Sequence, residues 1–322
     1  MRAIRVAEHG GPEVLQLTEV DAPEPQPGQL LVRVAASGVN FIDTYQRSGI
    51  YSVELPFTPG SEGAGEVVAV GDGVTEFSVG DRVAWAMTPG SYAEQALVPA
   101  DKAVRVPAGV DERTAAAALL QGLTAHYLVT STHPVKTGET ALVHAAAGGM
   151  GLLLTQLIKH LGGNVIGTVS TAEKEQLARE AGADEIIRYT EEDVAATVSD
   201  LTDGRGVDVV YDGVGKTTFD ASLASLRPRG MLALFGAASG PVPPVDPQRL
   251  NSAGSVFLTR PSLAHHILTR EELDLRAGEL FEWISNGVLT IHVGGTYPLA
   301  EARRAHEDLE GRRTTGKLVL LP

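Results

Sequence analysis

The run His144-Ala-Ala-Ala-Gly-Gly-Met-Gly151 lies between two apolar segments and opens a helix-period pattern. That arrangement cradles a dinucleotide pyrophosphate on a helix N-terminus. Residues 141–144 read as a strand, Leu152, Leu153, Gln156, Leu157 and His160 recur at helical spacing, and Asn164 to Val169 read as a second strand. The spacing fits G-x-G-x-x-G, with Ala146, Gly148 and Gly151 at the glycine positions. Gly148 has no side chain to hold phosphates off the backbone amides, and Gly151 lets the helix pack close to the strand. Alanine at the first position requires that the turn keep a negative φ there.

An NAD-selective unit places Asp or Glu roughly 20 residues beyond the glycines, to accept from the ribose 2′-hydroxyl. Here Ser170 stands there, followed by Thr171 and Lys174. A carboxylate repels a 2′-phosphate, whereas hydroxyls and an ammonium bind it. The sequence therefore favours NADPH over NADH. Ser170-Thr-Ala-Glu173 also reads as a capping box with Lys174 a solvated helix residue, and the two readings are compatible.

Elements that position this unit follow from the rhythm of the chain. Ala3 to Ala7, Val14 to Val20, Leu30 to Ala36, Gly65 to Val70, Arg82 to Ala86 and Tyr92 to Val98 read as short strands separated by glycine and proline turns, which suggests a small barrel. One helical insert, with Phe41, Tyr45 and Ser48 on a face, follows Asn40 as a candidate cap. From about Gly122 strands and helices alternate. Glu185 to Arg188, Val207 to Asp212, Met231 to Phe235 and Ser255 to Leu258 complete a set of parallel strands. After Pro261 the rhythm breaks: a long helix (Glu271 to Asn286), a short strand, a helix (Leu299 to Leu309) and a last strand (Lys317 to Leu321) are expected to return to the first domain.

The 322 residues suffice for about two domains. No apolar run approaches the ~18 residues of a membrane span, and the N-terminus does not read as a signal peptide. There is no cysteine, which removes disulfides, thiol catalysis and thiolate metal sites. The cytoplasm is the default expectation. The net charge of −14 opposes nucleic acid and anionic membranes at long range.

Taken with the glycine turn, Gly38-Val-Asn-Phe-Ile-Asp-Thr-Tyr-Gln-Arg-Ser-Gly-Ile-Tyr51, Gly60-Ser-Glu-Gly-Ala-Gly65, Gly167 to Lys174 and Thr259-Arg-Pro-Ser-Leu263 resemble the medium-chain dehydrogenases/reductases. The resemblance covers essentially the whole chain and points to the zinc-independent NADPH:quinone oxidoreductases, the zeta-crystallin-like branch. It implies an α/β fold, with a Rossmann doubly wound parallel sheet (123–261) and a GroES-like β-barrel domain formed by both termini (1–122 and 262–322). The active site is implied to lie in the cleft between them. Positions matched to the catalytic metal ligands of zinc-dependent relatives hold Asn40, Ser61 and Gln121, so no metal is expected. The resemblance implies catalytic and nicotinamide contacts from Asn40, Asp43 and Tyr45, and a substrate pocket around Tyr45, Tyr51 and Leu263. It further implies that Thr124 and Gly148, Gly149, Met150 and Gly151 line the diphosphate, that Ser170, Thr171, Lys174 and Tyr189 surround the 2′-phosphate, and that Phe235, Ser239 and Arg312 close over the cofactor.

Each assignment has a plainer counterpart. Asn40 can simply cap a helix, Tyr45 and Tyr51 can be packing residues, and Asp43 can be a surface carboxylate. Gly213-Val-Gly-Lys-Thr217 lacks the first glycine of a phosphate loop, which falls on Val210, and reads as a turn after a strand. His144 is expected to be a satisfied core residue, and His265, His266 and His306 to face solvent. The function expected is hydride transfer from NADPH to a quinone without a metal. The alternatives are reduction of α,β-unsaturated carbonyls, or a non-catalytic, crystallin-like NADPH-binding role. The resemblance further implies a homodimer joined through the edge strand Ser255 to Leu258.

Overall fold

Alternation of apolar and polar residues through the first hundred positions builds strands with one inward face. The computed structural model describes residues 1–322. Strand β1 (Arg2–Arg5) pairs antiparallel with β2 (Gln16–Glu19). Strand β3 (Gln29–Val39) runs directly into helix α1 (Phe41–Arg47) and is followed by β4 (Glu62–Val70), β5 (Arg82–Ala86), β6 (Gln95–Pro99) and β7 (Ala103–Arg105). Leu30, Val32 and Val34 of β3 point into a core shared with Val67, Val83, Trp85 and Val98. Strand β3 pairs antiparallel with β4 and β6, and β5 pairs with β4 and β7.

Helix α2 (Glu112–Tyr127) is not anticipated by periodicity. Ala115 to Leu119 are all buried, so no polar stripe marks a face, and Gly122 in its middle reads as a break. That glycine is a packing requirement. A Cβ there would lie 2.5 Å from a methyl of the buried Leu280.

The middle of the chain alternates strand and helix: β8 (Thr140–Val143), α3 (Gly149–His160), β9 (Asn164–Val169), α4 (Ala172–Glu180), β10 (Glu185–Arg188), α5 (Val194–Leu201), β11 (Val207–Asp212), α6 (Phe219–Ala224), β12 (Leu226–Leu234), α7 (Gln248–Ser252) and β13 (Phe257–Thr259). Near-continuous apolar runs such as Val207–Asp212, buried at all six positions, are what a sheet covered on both faces demands. All neighbouring pairs are parallel, in the order β10-β9-β8-β11-β12-β13. The order reverses between β8 and β11, and such a switch opens a crevice at the carboxyl ends of the strands. The sixth strand starts later than Ser255: that residue has φ 55°, and the Val256 amide is taken by the Leu250 carbonyl at 3.1 Å.

Helix α8 (Arg270–Ser285), β14 (Val293–Pro298), α9 (Ala302–Glu310) and β15 (Lys317–Leu321) complete the chain. Strand β15 pairs antiparallel with β3 and parallel with β14, so the tail extends the sheet begun by the N-terminus. The chain divides into two compact units, 1–123 with 267–287 and 291–322, and 124–266 with 288–290. No helix is long and apolar enough to cross a membrane.

Candidate active site

In the parallel-sheet unit the glycine turn occupies the carboxyl end of β8, at the point where strand order reverses. Ala146 keeps a negative φ, and the left-handed residue is its neighbour Ala145, at φ 51°. Gly148 is the N-cap of α3 and carries no side-chain cap, so the first-turn amides are left for an anion. A Cβ at Gly151 would collide with the carbonyl oxygen of Ala145 and lie 2.6 Å from the Ala146 Cα. One at Gly148 would stand 3.2 Å from the same carbonyl. The two glycines therefore have different duties: Gly151 seats the helix, and Gly148 keeps the approach to the amides low.

Loops at the neighbouring strand ends gather the remaining candidates of this unit. Ser170 and Tyr189 follow β9 and β10, linked by the Tyr189 amide on the Val169 carbonyl (3.1 Å) and the Thr190 hydroxyl on the Ser170 carbonyl (3.2 Å). Thr171, not Ser170, caps α4: its hydroxyl accepts the Lys174 amide at 3.3 Å. The extended backbone of Thr171 puts the cap one position later than the capping-box reading, which leaves the Ser170 side chain outside the cap. The end of β9 is followed by Ser170 rather than by a carboxylate; the nearest acids, Glu173 and Glu175, lie in the first turn of α4. Ser239 is committed to a neighbouring turn, accepting from the Thr217 amide and donating to the Val214 carbonyl. Phe235 packs its ring against Gly213. The turn after β11 is held by Asp212, which accepts from the amides of Val214 and Gly215 and the hydroxyls of Thr218 and Ser222. Thr124 lies near the end of α2, Leu263 is buried in a short 3-10 turn, and Arg312 is exposed after α9.

His144 is buried between the hydroxyls of Thr168 (3.0 Å) and Ser222 (2.9 Å), and burial lowers its pKa against the opposing pull of Asp212. Held neutral with both ring nitrogens occupied, it is a core residue rather than a base.

In the other unit the segment from Asn40 to Tyr51 forms the joint between β3 and α1. Tyr45 is buried, and Tyr51, 40% exposed, meets it edge-on with ring centroids 5.3 Å apart. Asp43 is not a surface carboxylate. It is fully buried, and its oxygens accept from the Asn40 amide (2.9 Å), the Ser61 amide (3.0 Å), the Ser61 hydroxyl (2.8 Å) and the Tyr92 hydroxyl (3.0 Å). Burial pushes its pKa up to about 6, against the lowering effect of Ser61, Asn40, Tyr92 and Lys317. With four donors on two oxygens it ties the helix start to β4 and to Tyr92, a role for holding shape rather than for meeting a ligand.

A chain of donors continues from Tyr92. His306, expected at the surface, is fully buried on α9. Arg47 can only donate, so its contact with His306 Nδ1 at 2.9 Å fixes the tautomer, and His306 Nε2 then donates to the Tyr92 hydroxyl at 3.1 Å. Burial and the Arg47 charge drive the His306 pKa down to about 3. Because Arg47 fills the outer lone pair, no proton can enter there from the Glu310 carboxylate that Arg47 binds at 2.8 Å. The array is a static support.

Asn40 has its own buried partners. Lys317 Nζ donates to Asn40 Oδ1 at 2.6 Å and to Glu62 Oε2 at 2.6 Å, and Asn40 Nδ2 donates to the same Glu62 oxygen at 2.9 Å. No group of three His, Cys, Asp or Glu side chains is placed to hold a metal ion.

Comparison with known proteins bears on both units. Residues 26–108 match the alcohol dehydrogenase GroES-like domain, and residues 181–320 match the zinc-binding dehydrogenase family. A quinone oxidoreductase of Pseudomonas aeruginosa is 50% identical, covering 100% of this chain and 99% of its own. The chain belongs to the quinone oxidoreductase family. Among solved structures, the Escherichia coli quinone oxidoreductase complexed with NADPH superposes with TM-score 0.98 at 45% identity, over all of both chains. A mycobacterial protein complexed with NADPH superposes with TM-score 0.97 at 59% identity, again over all of both chains.

Family membership does not by itself single out Glu62, Lys317, Tyr92 and Arg47, which no sequence motif marks, or His306, which was expected to face solvent. A signal existed for two of them. Glu62 is a carboxylate among glycines at the head of a buried strand, and Lys317 opens the apolar run Lys317-Leu-Val-Leu-Leu321. A charge in such company has to find a buried counter-charge or leave the strand.

Proposed function

We propose that the protein is an NADPH-dependent quinone reductase that works without a metal. The carrying observation is the uncapped N-terminus of α3 beside Gly148, with Ser170 rather than a carboxylate after the next strand and Lys174 in the first turn of α4, in a member of this family. When bound, NADPH supplies hydride from its nicotinamide ring. The first-turn amides after Gly148, together with Thr124, hold the diphosphate; Ser170, Thr171, Lys174 and Tyr189 hold the 2′-phosphate; Phe235, Ser239 and Arg312 line the cofactor. Asn40 and Tyr45 face the nicotinamide, Tyr45, Tyr51 and Leu263 face the acceptor, and Asp43 acts through the residues it ties together.

Independence from zinc is supported by what holds the matched positions. Asn40 is engaged by an ammonium and Ser61 by a carboxylate, and the buried Lys317 charge opposes a divalent cation. In zinc-dependent relatives the ion stabilises the alkoxide during alcohol oxidation, whereas a quinone accepts hydride without prior activation.

Lys174→Ala should raise KM for NADPH by roughly 10- to 150-fold, the equivalent of a charge-assisted contact of about 1.5–3 kcal/mol, and leave NADH nearly unchanged. Steady-state kinetics with both cofactors and a quinone check this. Equal effects on the two sink the 2′-phosphate assignment.

Of the two hydroxyls on α1, that of Thr44 donates to the Phe41 carbonyl at 2.8 Å and Tyr45 carries the phenol, the stronger acid, while a reduced quinone can take its proton from water. Tyr45→Phe should therefore lower kcat/KM by well under the ~10²–10⁴-fold that general acid catalysis contributes. A thousandfold loss with NADPH binding intact makes Tyr45 a true acid and an α,β-unsaturated carbonyl the better acceptor.

We further propose a two-fold dimer through β13. It is the last strand of its sheet, with Phe257 58% exposed, and a free edge invites a partner strand. Phe257→Asp should give monomers in sedimentation. Unchanged dimers, with the fold intact by circular dichroism, overturn the edge as interface.

A further inference from the structure

We infer that Thr168, His144 and Ser222 are positioning residues: they carry a one-way array of hydrogen bonds from Asp212 to the Ala145 amide and so hold Ala145 in the left-handed conformation that shapes the diphosphate turn. This rests on the proposed reading in which NADPH sets its diphosphate on the amides after Gly148. It adds the side chains that keep those amides in place.

The direction of the array follows from its fixed end. Asp212 takes the amides of Val214 and Gly215 at 2.8 and 2.9 Å, and a carboxylate so held can only accept. The Ser222 hydroxyl, 2.7 Å from Asp212 Oδ2, therefore donates its single hydrogen there. Its oxygen is left to accept, so His144 Nε2, at 2.9 Å, carries the ring proton. Burial keeps the ring neutral, which makes Nδ1 the acceptor for the Thr168 hydroxyl at 3.0 Å. With its hydrogen committed to His144, Thr168 Oγ1 turns a lone pair to the Ala145 amide at 3.3 Å. The opposite ring tautomer leaves the Ser222 oxygen facing Asp212 with no hydrogen between them. All four side chains are buried, so a reversed bond finds no water to replace it.

The array ends at the strained residue of the turn. Ala145 has φ 51°, a region that disfavours alanine by a factor of about 5–30. Its side chain is exposed, so packing of the methyl group does not compensate. Hydrogen bonds do. Thr168 takes two successive amides of the turn, Ala145 on its hydroxyl and Ala146 on its carbonyl at 3.0 Å, while the Ala145 carbonyl takes the Gly148 amide at 2.9 Å. Only the first of these depends on a side chain. Strain of this kind persists where the surroundings over-determine it. Asp212 also holds the turn after β11, so the turns on the two strands flanking the switch point share one framework.

Thr168→Val keeps the volume of the side chain and removes the hydroxyl. NADPH Kd, read by fluorescence titration without any acceptor, should rise about 5- to 30-fold as Ala145 leaves the left-handed region. NADH Kd should rise by the same factor, because the 2′-phosphate plays no part. Thr168→Ser keeps the hydroxyl and loses a methyl group. Its thermal midpoint should fall, while its NADPH affinity stays within about threefold of wild type. Adding Ala145→Gly to Thr168→Val should also bring Kd back to within about threefold, since glycine enters the left-handed region without steric cost. Wild-type affinity in Thr168→Val, or a loss there that Ala145→Gly does not restore, overturns the inference. If Thr168→Val does not unfold cooperatively, the His144 ring decides. Long-range proton–nitrogen NMR of the wild-type histidines, assigned with His144→Gln, should show a neutral ring with its proton on Nε2, and a proton on Nδ1 overturns the array. Gly148→Ala separates this inference from the reading beneath it. Wild-type NADPH affinity in Gly148→Ala sinks that reading, whereas weakened affinity there with unchanged affinity in Thr168→Val sinks this inference alone.

Discussion

Asp43→Ala is expected to cost about 3–5 kcal/mol of stability at pH 5, measured by urea unfolding. The substitution leaves the Asn40 and Ser61 amides and the Ser61 and Tyr92 hydroxyls buried without their acceptor. Each orphaned donor is worth about 1–3 kcal/mol before relaxation. The deficit should also depend on pH in an unusual direction. Most native carboxylates have lowered pKa values and stabilise more as pH rises. Asp43 ionises near pH 6 in the folded protein because burial outweighs its donors, against the ordinary 3.8. Between those values the folded state holds the extra proton, so the contribution of Asp43 is fullest below about pH 4, falls as pH climbs to about 6, and is flat above. The gap between wild type and Asp43→Ala should therefore narrow by up to about 3 kcal/mol from pH 4 to pH 6.5. A gap that widens over this range shows that the four donors outweigh burial, and a gap below about 1 kcal/mol at every pH removes Asp43 as the tie between α1 and Ser61.

The parallel sheet was legible because its strands are short apolar runs between helical patterns, and the expected strand at Val207 to Asp212 coincides with β11. Helix α2 was not, because legibility depends on a contrast between faces and the residues Ala115 to Leu119 have none. Gly122 added a false break, since its reason lies 158 positions away at Leu280. The same distinction separates the two parts of the site. A glycine turn acts through backbone over eight residues, so spacing carries it. The supports of Asn40 and Asp43 come from β4, α9 and β15, brought together only by the pairing of β15 with β3 and the packing of α9. His306 shows the consequence: on a helix with arginines and acids on either side, nothing local distinguishes a buried neutral imidazole from an exposed one, and the Arg47 guanidinium that keeps it neutral is 259 residues distant.

The glycine turn allows packing and ligand binding to be separated by two substitutions three residues apart. Gly151→Ala inserts a methyl against the Ala145 carbonyl and 2.6 Å from the Ala146 Cα. Both neighbours are backbone, so neither can rotate aside, and the helix has to move off β8. Overpacking costs typically about 1–3 kcal/mol, and a backbone obstacle puts this variant at the upper end. Its thermal midpoint should fall by about 6–12 °C. NADPH affinity should fall by at least about tenfold, because the displaced first turn loses a charge-assisted contact worth about 1.5–3 kcal/mol. Gly148→Ala differs in kind. Its φ of −81° suits any residue, and the added methyl stands 3.2 Å from the Ala145 carbonyl, a contact relieved by a few tenths of an ångström. The midpoint should stay within about 2 °C of wild type, while the methyl holds phosphate oxygens off the amides and weakens NADPH by about tenfold or more. Calorimetry of the cofactor-free proteins and fluorescence titration with NADPH measure the two quantities independently. Wild-type affinity in Gly148→Ala removes the diphosphate from this turn, and a wild-type midpoint in Gly151→Ala means that α3 does not need its close approach to the strand.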